Sequence, residues 1–136
     1  MTEEQLLDQR TWNERNDCTV IALAVAADMP YREAWRILAE QGRKQRQGMH
    51  FHIYMRNLLR TGEPVIFNGF QVYRHPIWWE PFPLTIGEFL RDNKQGRFIV
   101  QVKGHVLPVI DGQRLRSDPA SIFEPVLTAW EFVRIP

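Results

Sequence analysis

The sequence predicts a single domain of the α+β class, in which helices precede a mostly antiparallel sheet. Apolar residues recur with helical spacing up to Gly62, whereas the later part alternates short β-rich runs with turn dipeptides such as Asn68-Gly69. The chain has 136 residues and no visible linker or internal repeat. Residues 1–136 are therefore expected to share one hydrophobic core.

Three helices are predicted in the first half of the chain. Asn16 or Asp17 caps the first, which runs to about Asp28 through an apolar segment typical of a buried central helix. Pro30 suits the first turn of the second helix, in PYREAWRILAEQG. The third occupies HFHIYMRNLLRTG, and a glycine follows each of the last two helices as a stop signal.

The second half has the signals of a sheet with one additional helix. PVIFNGFQVYRH predicts two short strands that turn at Asn68-Gly69. The segment TIGE is typical of a capping box, and it opens a short helix that is expected to end near Gly96. RFIVQV and HVLPVI predict strands on either side of Lys103-Gly104, and VLTAWEFVRI predicts the closing strand.

Composition excludes several classes of protein. Hydrophobic residues make up 44% of the chain and charged residues 24%, as in ordinary globular domains. The formal net charge of +1 gives no electrostatic reason to expect nucleic acid or an anionic membrane as a partner. A single cysteine cannot form an internal disulfide. The start, MTEEQLLDQR, lacks a signal-peptide pattern, and the apolar run VIALAVAA is too short to span a bilayer. A cytoplasmic protein is expected.

Cys18, the only cysteine, lies where a polar segment gives way to the first apolar helix, in NDCTVIALAVAADMP. A thiol is a nucleophile only as the thiolate, and the unpaired N–H groups at a helix N-terminus favour that negative charge. Free cysteines are also among the most buried residues, and many of them only pack. The position of Cys18 therefore fits a nucleophile or an ordinary core residue.

Two residues of the second half supply the partners that a thiol nucleophile needs. His105 follows Gly104 at the start of a predicted strand, and an imidazole there could take the thiol proton and return it to a leaving group. Asp118, in RLRSDP, could return beside His105 from the neighbouring strand. Asp111 lies roughly 20 Å further along the same strand and suits a hairpin turn. The alternatives are a histidine at a strand edge and an Asp-Pro turn.

The order of Cys18, His105 and Asp118 resembles that of the papain-like cysteine peptidase superfamily, and most closely the C39-like peptidases that process leader peptides. NDCTVIALAVAADMPYREAWRILAEQGR and KGHVLPVIDG also resemble small C39-like proteins of bacteriophages and bacteria, over residues 12–48 and 98–119. The resemblance implies a papain-like domain with Cys18 as nucleophile, His105 as general base and acid, and Asp118 as the acid that orients the histidine. It also implies a peptide or protein substrate and no cofactor.

The family pattern departs at the residue that would complete the oxyanion hole. The family carries a glutamine about six residues before the cysteine, and this sequence has Trp12 there. Asn13 is the neighbouring amide that could replace it, beside a backbone N–H at Cys18. Loss of one such donor costs on the order of 100- to 1000-fold in rate. Pro108, inside a predicted strand, is expected to mark an edge or a bulge near the site.

The aromatic segment IWWEPF is a candidate for a substrate groove or a partner-binding surface. Trp78, Trp79 and Phe82 lie in an irregular, proline-rich stretch in which all three are hard to bury together, and Trp12 is a further candidate. An ordinary contribution to the core is the alternative. His50 and His52 point in different directions on a predicted helix, so no metal site is predicted.

Two functions are therefore expected. The first is a cysteine-dependent hydrolase, peptidase or amidase-like, with Cys18, His105 and Asp118 as its triad. The alternative is a catalytically weak or inactive papain-like scaffold that binds and modulates a host protein. The resemblance to bacteriophage proteins would place either one in the host cytoplasm.

Overall fold

The computed structural model of the protein describes residues 17–43, 50–77 and 81–136, and these form an α+β domain, as predicted. No helix within these ranges is long and apolar enough to cross a membrane. The helices are α1 (Cys18–Ala26), α2 (Tyr31–Glu40), α3 (Phe51–Arg60) and α4 (Ile86–Asp92). The strands are β1 (Ile66–Phe67), β2 (Phe70–His75), β3 (Arg97–Val102), β4 (His105–Ile110), β5 (Gln113–Arg114) and β6 (Thr128–Arg134).

The strands form one sheet in the order β1-β2-β6-β3-β4-β5, and every neighbouring pair is antiparallel. The last strand, β6, is inserted between β2 and β3 and so joins two hairpins that are separate in sequence. The first hairpin turns at Asn68-Gly69, where both residues have positive φ angles of 49° and 81°. That backbone suits the right-handed twist of a two-residue turn, so the predicted hairpin is confirmed.

Helices cover both faces of the sheet and produce two apolar layers. One layer joins α1, α2 and α3 to the sheet through buried residues that include Leu23, Leu38, Met55, Ile99 and Trp130. The other packs α4 against the opposite face through residues that include Ile86, Phe89, Phe98, Val100 and Leu107. Ile99 and Val100 fall in different layers because successive strand side chains point to opposite faces. A sheet buried on both faces explains the near-continuous apolar runs of β3 and β4.

Helix α1 is the most deeply buried of the described helices, as its all-round apolar sequence predicted. It ends at Ala26, two residues before the predicted end, and Asp28 follows with a φ of 50°. The predicted capping by Asp17 is wrong in its chemistry. Asp17 occupies the N-cap position, but its side chain makes no capping hydrogen bond, and its Oδ2 instead accepts a 2.8 Å bond from the Tyr31 hydroxyl. Asn16, the other predicted cap, lies outside the described residues.

Two local predictions in the second half have clear outcomes. The capping box of α4 is present, since the Thr85 hydroxyl and the Glu88 backbone and side chain bond reciprocally. The helix ends at Asp92, before the predicted end near Gly96. Pro108 lies in the part of β4 that has no strand on its outer side, because β5 pairs only with Val109 and Ile110. The predicted edge position is therefore confirmed.

Candidate active site

Cys18 and His105 are each the first residue of an element, and the packing of α1 on β4 brings those two starts together. A helix start exposes N–H groups that have no partner within the helix, and it gives the thiol a partly positive backbone environment. The side chain of Cys18 is only partly buried. The fold therefore places the single cysteine at the surface of the core, where it can be reached from outside.

The Lys103-Gly104 turn fixes the position of His105 at the start of β4. Val102 pairs directly with His105 across this turn, and Gly104 has a φ of 71°, a conformation that a side chain would strain. The side chain of Gln101 also holds this turn in place through two hydrogen bonds. Its Nε2 donates to the carbonyl of Val102 at 2.7 Å and to the carbonyl of His105 at 3.1 Å. The backbone that carries the imidazole is consequently fixed by the pairing with Val102 and by the hydrogen bond from Gln101.

Asp118 lies directly beside the imidazole, as predicted. Its Oδ2 is 2.9 Å from Nε2 of His105, and its side chain is only 5% exposed. The sequence-based prediction placed Asp118 on the strand after β4, and that detail is wrong. The short strand β5 ends at Arg114, and Asp118 lies in the loop that follows, in a turn closed by its own N–H and the Leu115 carbonyl.

The second carboxylate oxygen of Asp118 keeps that loop in place. Oδ1 accepts a 2.9 Å hydrogen bond from the N–H of Ala120, two residues on, which is the pattern of an Asx turn. Nη1 of Arg114 lies 3.7 Å from the same oxygen and donates to the Ala120 carbonyl. Asp118 therefore forms the expected turn and also contacts His105, because each of its carboxylate oxygens has a separate role.

The thiol of Cys18 interacts with the His105 side chain and with the backbone of Val106, and both interactions lower its pKa. Since Nε2 of the imidazole is directed to Asp118, Nδ1 is the ring nitrogen that remains for the sulfur. Cys18, His105 and Asp118 therefore form one continuous chain of interacting side chains, in which His105 and Asp118 are joined by a 2.9 Å hydrogen bond. Chains of this kind fix the tautomer of the central imidazole and its orientation toward the nucleophile.

The electrostatics of this chain favour a thiolate and an imidazolium. Burial alone would raise the pKa of Cys18, but the hydrogen bonds from His105 and Val106 and the charge of His105 lower it below its ordinary 9.0. The hydrogen bonds to Asp118 and Cys18 outweigh burial and raise the pKa of His105 from 6.5 to about 9. Burial likewise opposes ionisation of Asp118, yet the bonds from His105 and Ala120 leave its pKa lowered. Both shifts favour the state in which the proton of the pair is on the histidine.

A cleft of about 470 Å³ opens over the sulfur and the imidazole. Besides Cys18 and His105, it is lined by residues from the start of α1, the start of α3 and the β3–β4 turn: Thr19, His50, Phe51, His52, Gln101, Gly104 and Val106. A volume of this size accommodates a few residues of an extended peptide. The nucleophile therefore faces a space in which a carbonyl carbon can approach it.

The other predicted site residues divide into two groups. Trp12, Asn13, Trp78 and Trp79 lie outside the described residues, so the oxyanion-hole role of Asn13 stays a prediction. Phe82 is 78% exposed and does not line the cleft, so the expectation that it forms a groove wall is not met there. Asp111 lies in the hairpin turn, as predicted, with a φ of 51° and its Oδ1 bonded to the N–H of Gly96.

Sequence reasoning missed two residues that support the site and two that line its cleft. Gln101 interrupts the apolar strand RFIVQV with a buried amide, which was a visible signal of a polar role. Arg114 gave no such signal, because its role depends on the return of the loop toward β5. His50 and His52, for which no metal site was predicted, line the cleft. Among the described residues no group of three suitable side chains could hold a metal ion.

Comparison with protein-family models, with characterised proteins and with solved structures finds no match for this chain. The relationship to papain-like peptidases therefore stays a prediction drawn from the motifs. The geometry of the site has to be interpreted from its own residues.

Proposed function

We propose that the protein is a cysteine-dependent hydrolase of amide bonds, with a papain-like arrangement of Cys18, His105 and Asp118. The observation that carries this proposal is the chain of interacting side chains from Asp118, hydrogen-bonded to His105, to a partly exposed thiol at a helix start. Taken singly, a packed cysteine, a histidine at a strand edge and an Asp-Pro turn are each common in proteins. Packing alone does not require that a thiol, an imidazole and a buried carboxylate interact in this order beside an open cleft.

The resting charges define the first chemical step. The thiolate of Cys18 attacks the carbonyl carbon, and the carbonyl oxygen becomes an oxyanion that the backbone N–H of Cys18 can stabilise. Imidazolium His105 then gives its proton to the leaving nitrogen, the C–N bond breaks, and an amine departs. The product of this half-reaction is a thioester on Cys18 and a neutral imidazole that is still held by Asp118.

The second half-reaction restores the enzyme. Neutral His105 takes a proton from water while the water oxygen attacks the thioester carbonyl. The tetrahedral intermediate collapses, the C–S bond breaks, and a carboxylic acid leaves. Cys18 returns as the thiolate and His105 as the imidazolium, so no external acid or base is consumed. Asp118 stays ionised throughout and stabilises the protonated imidazole.

The proposal is tested with a peptide library incubated with the purified protein, whose new N-termini are identified by mass spectrometry. We expect cleavage products that depend on Cys18 and fall by at least about 1000-fold in Cys18→Ala and His105→Ala variants. Arg32→Gln is a suitable control, because it changes an exposed residue of α2 that does not line the cleft and leaves the triad intact. Products that persist in Cys18→Ala, or a complete lack of products from the wild-type protein, would contradict the proposal.

A binding protein on the same scaffold is the second candidate, and one observation favours it. Phe82 and Phe123 are 78% and 77% exposed, and their segments run side by side, since the N–H of Val126 bonds to the Leu84 carbonyl. Exposed aromatic side chains of this kind are enriched in protein interfaces. If binding alone is the function, Phe82→Ser should abolish the biological effect while Cys18→Ala leaves it intact. The opposite pattern supports the hydrolase.

A further inference from the structure

A second groove adjoins the active-site cleft, between helix α3 and the strands β2 and β6. Its volume is about 420 Å³, and we call it the arginine groove. It is lined by His52, Arg56, Leu59, Arg60, Arg74, Thr128 and Trp130. Among the described residues, the lining therefore combines four basic side chains with an apolar floor and contains no carboxylate.

The basic side chains of the groove are brought together by both helix and sheet. His52, Arg56 and Arg60 follow one another at intervals of four residues along one face of α3, and all three are exposed. Arg74 is contributed from β2, at the position that pairs with Trp130 of β6. Like charges four residues apart on a helix repel each other, so this arrangement is mildly unfavourable without a counter-charge.

No counter-charge is supplied by the described part of the chain. Arg56, Arg60 and Arg74 take part in none of the ion pairs that join described residues, which involve Arg91, His105 and Arg114. Guanidinium groups that are both clustered and unneutralised have a strong preference for carboxylate or phosphate oxygens. The groove is thus suited to an anionic group that the described part of the chain does not supply.

The arginine groove is continuous with the cleft above the nucleophile. His52 lines both spaces, and Phe51 of the cleft packs edge-to-face on Trp130 of the groove at 5.2 Å between ring centroids. From His52 to Arg60 the helix rises roughly 12 Å. An extended peptide covers that distance in about four residues. A chain bound across the nucleophile would consequently pass along the arginines.

We propose that the arginine groove binds acidic side chains of the peptide substrate, within about two to six residues of the scissile bond on one side of it. This inference rests on the proposed hydrolase function and names the class of substrate that the site selects. Trp130 and Leu59 contact the aliphatic stems of the substrate side chains, while the arginines pair with their carboxylates. Acidic peptide is favoured over nucleic acid because the groove leads directly to a thiol, whose chemistry is acyl transfer.

The test measures binding without catalysis, by fluorescence anisotropy with the Cys18→Ala variant. Three labelled peptides of equal length carry a central run of glutamate, glutamine or lysine, and a single-stranded oligonucleotide of equal negative charge is the fourth probe. We expect the glutamate peptide to bind about tenfold more tightly than the glutamine peptide at low salt. That preference should fall toward zero at high ionic strength, where exposed charges are screened.

Two matched double variants locate the binding surface. Arg56→Gln with Arg60→Gln should reduce the affinity for the glutamate peptide to that of the glutamine peptide. Arg32→Gln with Arg36→Gln removes two exposed arginines at the same spacing from α2, outside the groove, and should leave the affinity unchanged. Both variants change only exposed side chains, so each is expected to fold.

Each outcome decides between the proposals. Equal binding of the glutamate and glutamine peptides, equal losses in the two double variants, or tighter binding of the oligonucleotide would overturn the acidic-peptide assignment. If the glutamate peptide binds through Arg56 and Arg60 but no Cys18-dependent cleavage is found, the groove stands and the hydrolase proposal fails. If cleavage depends on Cys18 but shows no preference for acidic residues, the hydrolase stands and the groove assignment fails.

Discussion

Replacement of Asp118 by asparagine removes the negative charge beside His105 and keeps a side chain of nearly the same shape. In the wild-type protein the bond between Oδ2 and Nε2 is 2.9 Å long, and it is the largest cause that raises the pKa of His105 to about 9. The full rise from 6.5 to about 9 is about 3 kcal/mol in proton affinity, and Asp118 supplies only part of it, because the interaction with Cys18 also raises the pKa. Since the imidazole is 22% exposed, solvent screening reduces the effect. We expect a fall of about 1 to 2 in pKa.

The assay is a proton NMR titration of the imidazole resonances between about pH 5 and 10. The protein has four histidines, so the His105 signal is assigned by its loss in His105→Ala. Asp92→Asn is a matched control, since it neutralises an exposed aspartate of α4. The reasoning is refuted if His105 titrates near 6.5 in the wild-type protein, or if Asp118→Asn and Asp92→Asn leave its pKa equally unchanged.

The same variant has a defined effect on stability. The pKa of Asp118 is depressed, so its contribution is present above its ordinary 3.8 and is lost as pH falls through the lowered value. The pKa of His105 is raised, so its contribution is present below 6.5 and is lost as pH rises through about 9. Urea unfolding should therefore show the largest difference between wild type and Asp118→Asn at about pH 4 to 6.5, and a smaller one at alkaline pH.

Two further predictions concern the scaffold of the site. Tyr31→Phe should lower the free energy of unfolding by about 1 to 3 kcal/mol, because it removes a donor from the carboxylate of Asp17, which is only 4% exposed. Urea unfolding near neutral pH measures this, and an equal loss on adding Tyr31→Phe to an Asp17→Ala variant, which has no side-chain acceptor, would contradict it. Thr85→Ala should lower the free energy of unfolding by about 1 kcal/mol through loss of the α4 capping box. Thr85→Ser keeps the hydroxyl and should retain most of the stability, and equal losses in the two variants, measured by urea unfolding, would show that the cap is not the cause.

Much of the fold was predictable because its signals are local. Three such signals depend on neighbours within a few residues: the turn at Asn68-Gly69, the capping box at Thr85 and the near-continuous apolar runs of β3 and β4. Asp17 illustrates the limit of such signals. Its type and position are those of a helix cap, but its partner is Tyr31, fourteen residues away, and a contact at that separation is set by how α1 packs on α2.

The candidate site shows the same division. Cys18 and His105 were recognisable because each stands at the start of an element. Asp118 was predicted beside the imidazole on a neighbouring strand, whereas it lies in a loop that the sequence did not reveal. The role of Gln101 depends on two carbonyls at a turn, and the arginine groove depends on the insertion of β6 beside β2, which sets Arg74 against α3. The polar residue in β3 and the four-residue spacing of His52, Arg56 and Arg60 are visible in the sequence, but the groups that surround them are not.

The central claim is that the Cys18 thiol is ionised by His105, and the pH dependence of its alkylation by iodoacetamide tests this most directly. Cys18 is the only cysteine, so the mass gain of the whole protein reports on this thiol alone. We predict that the rate reaches half of its plateau at a pH below that of free cysteine, and that His105→Ala moves the midpoint upward, because burial and the charge of Asp17 are then opposed only by the Val106 backbone. A wild-type midpoint at or above that of free cysteine, unchanged in His105→Ala, would contradict the account.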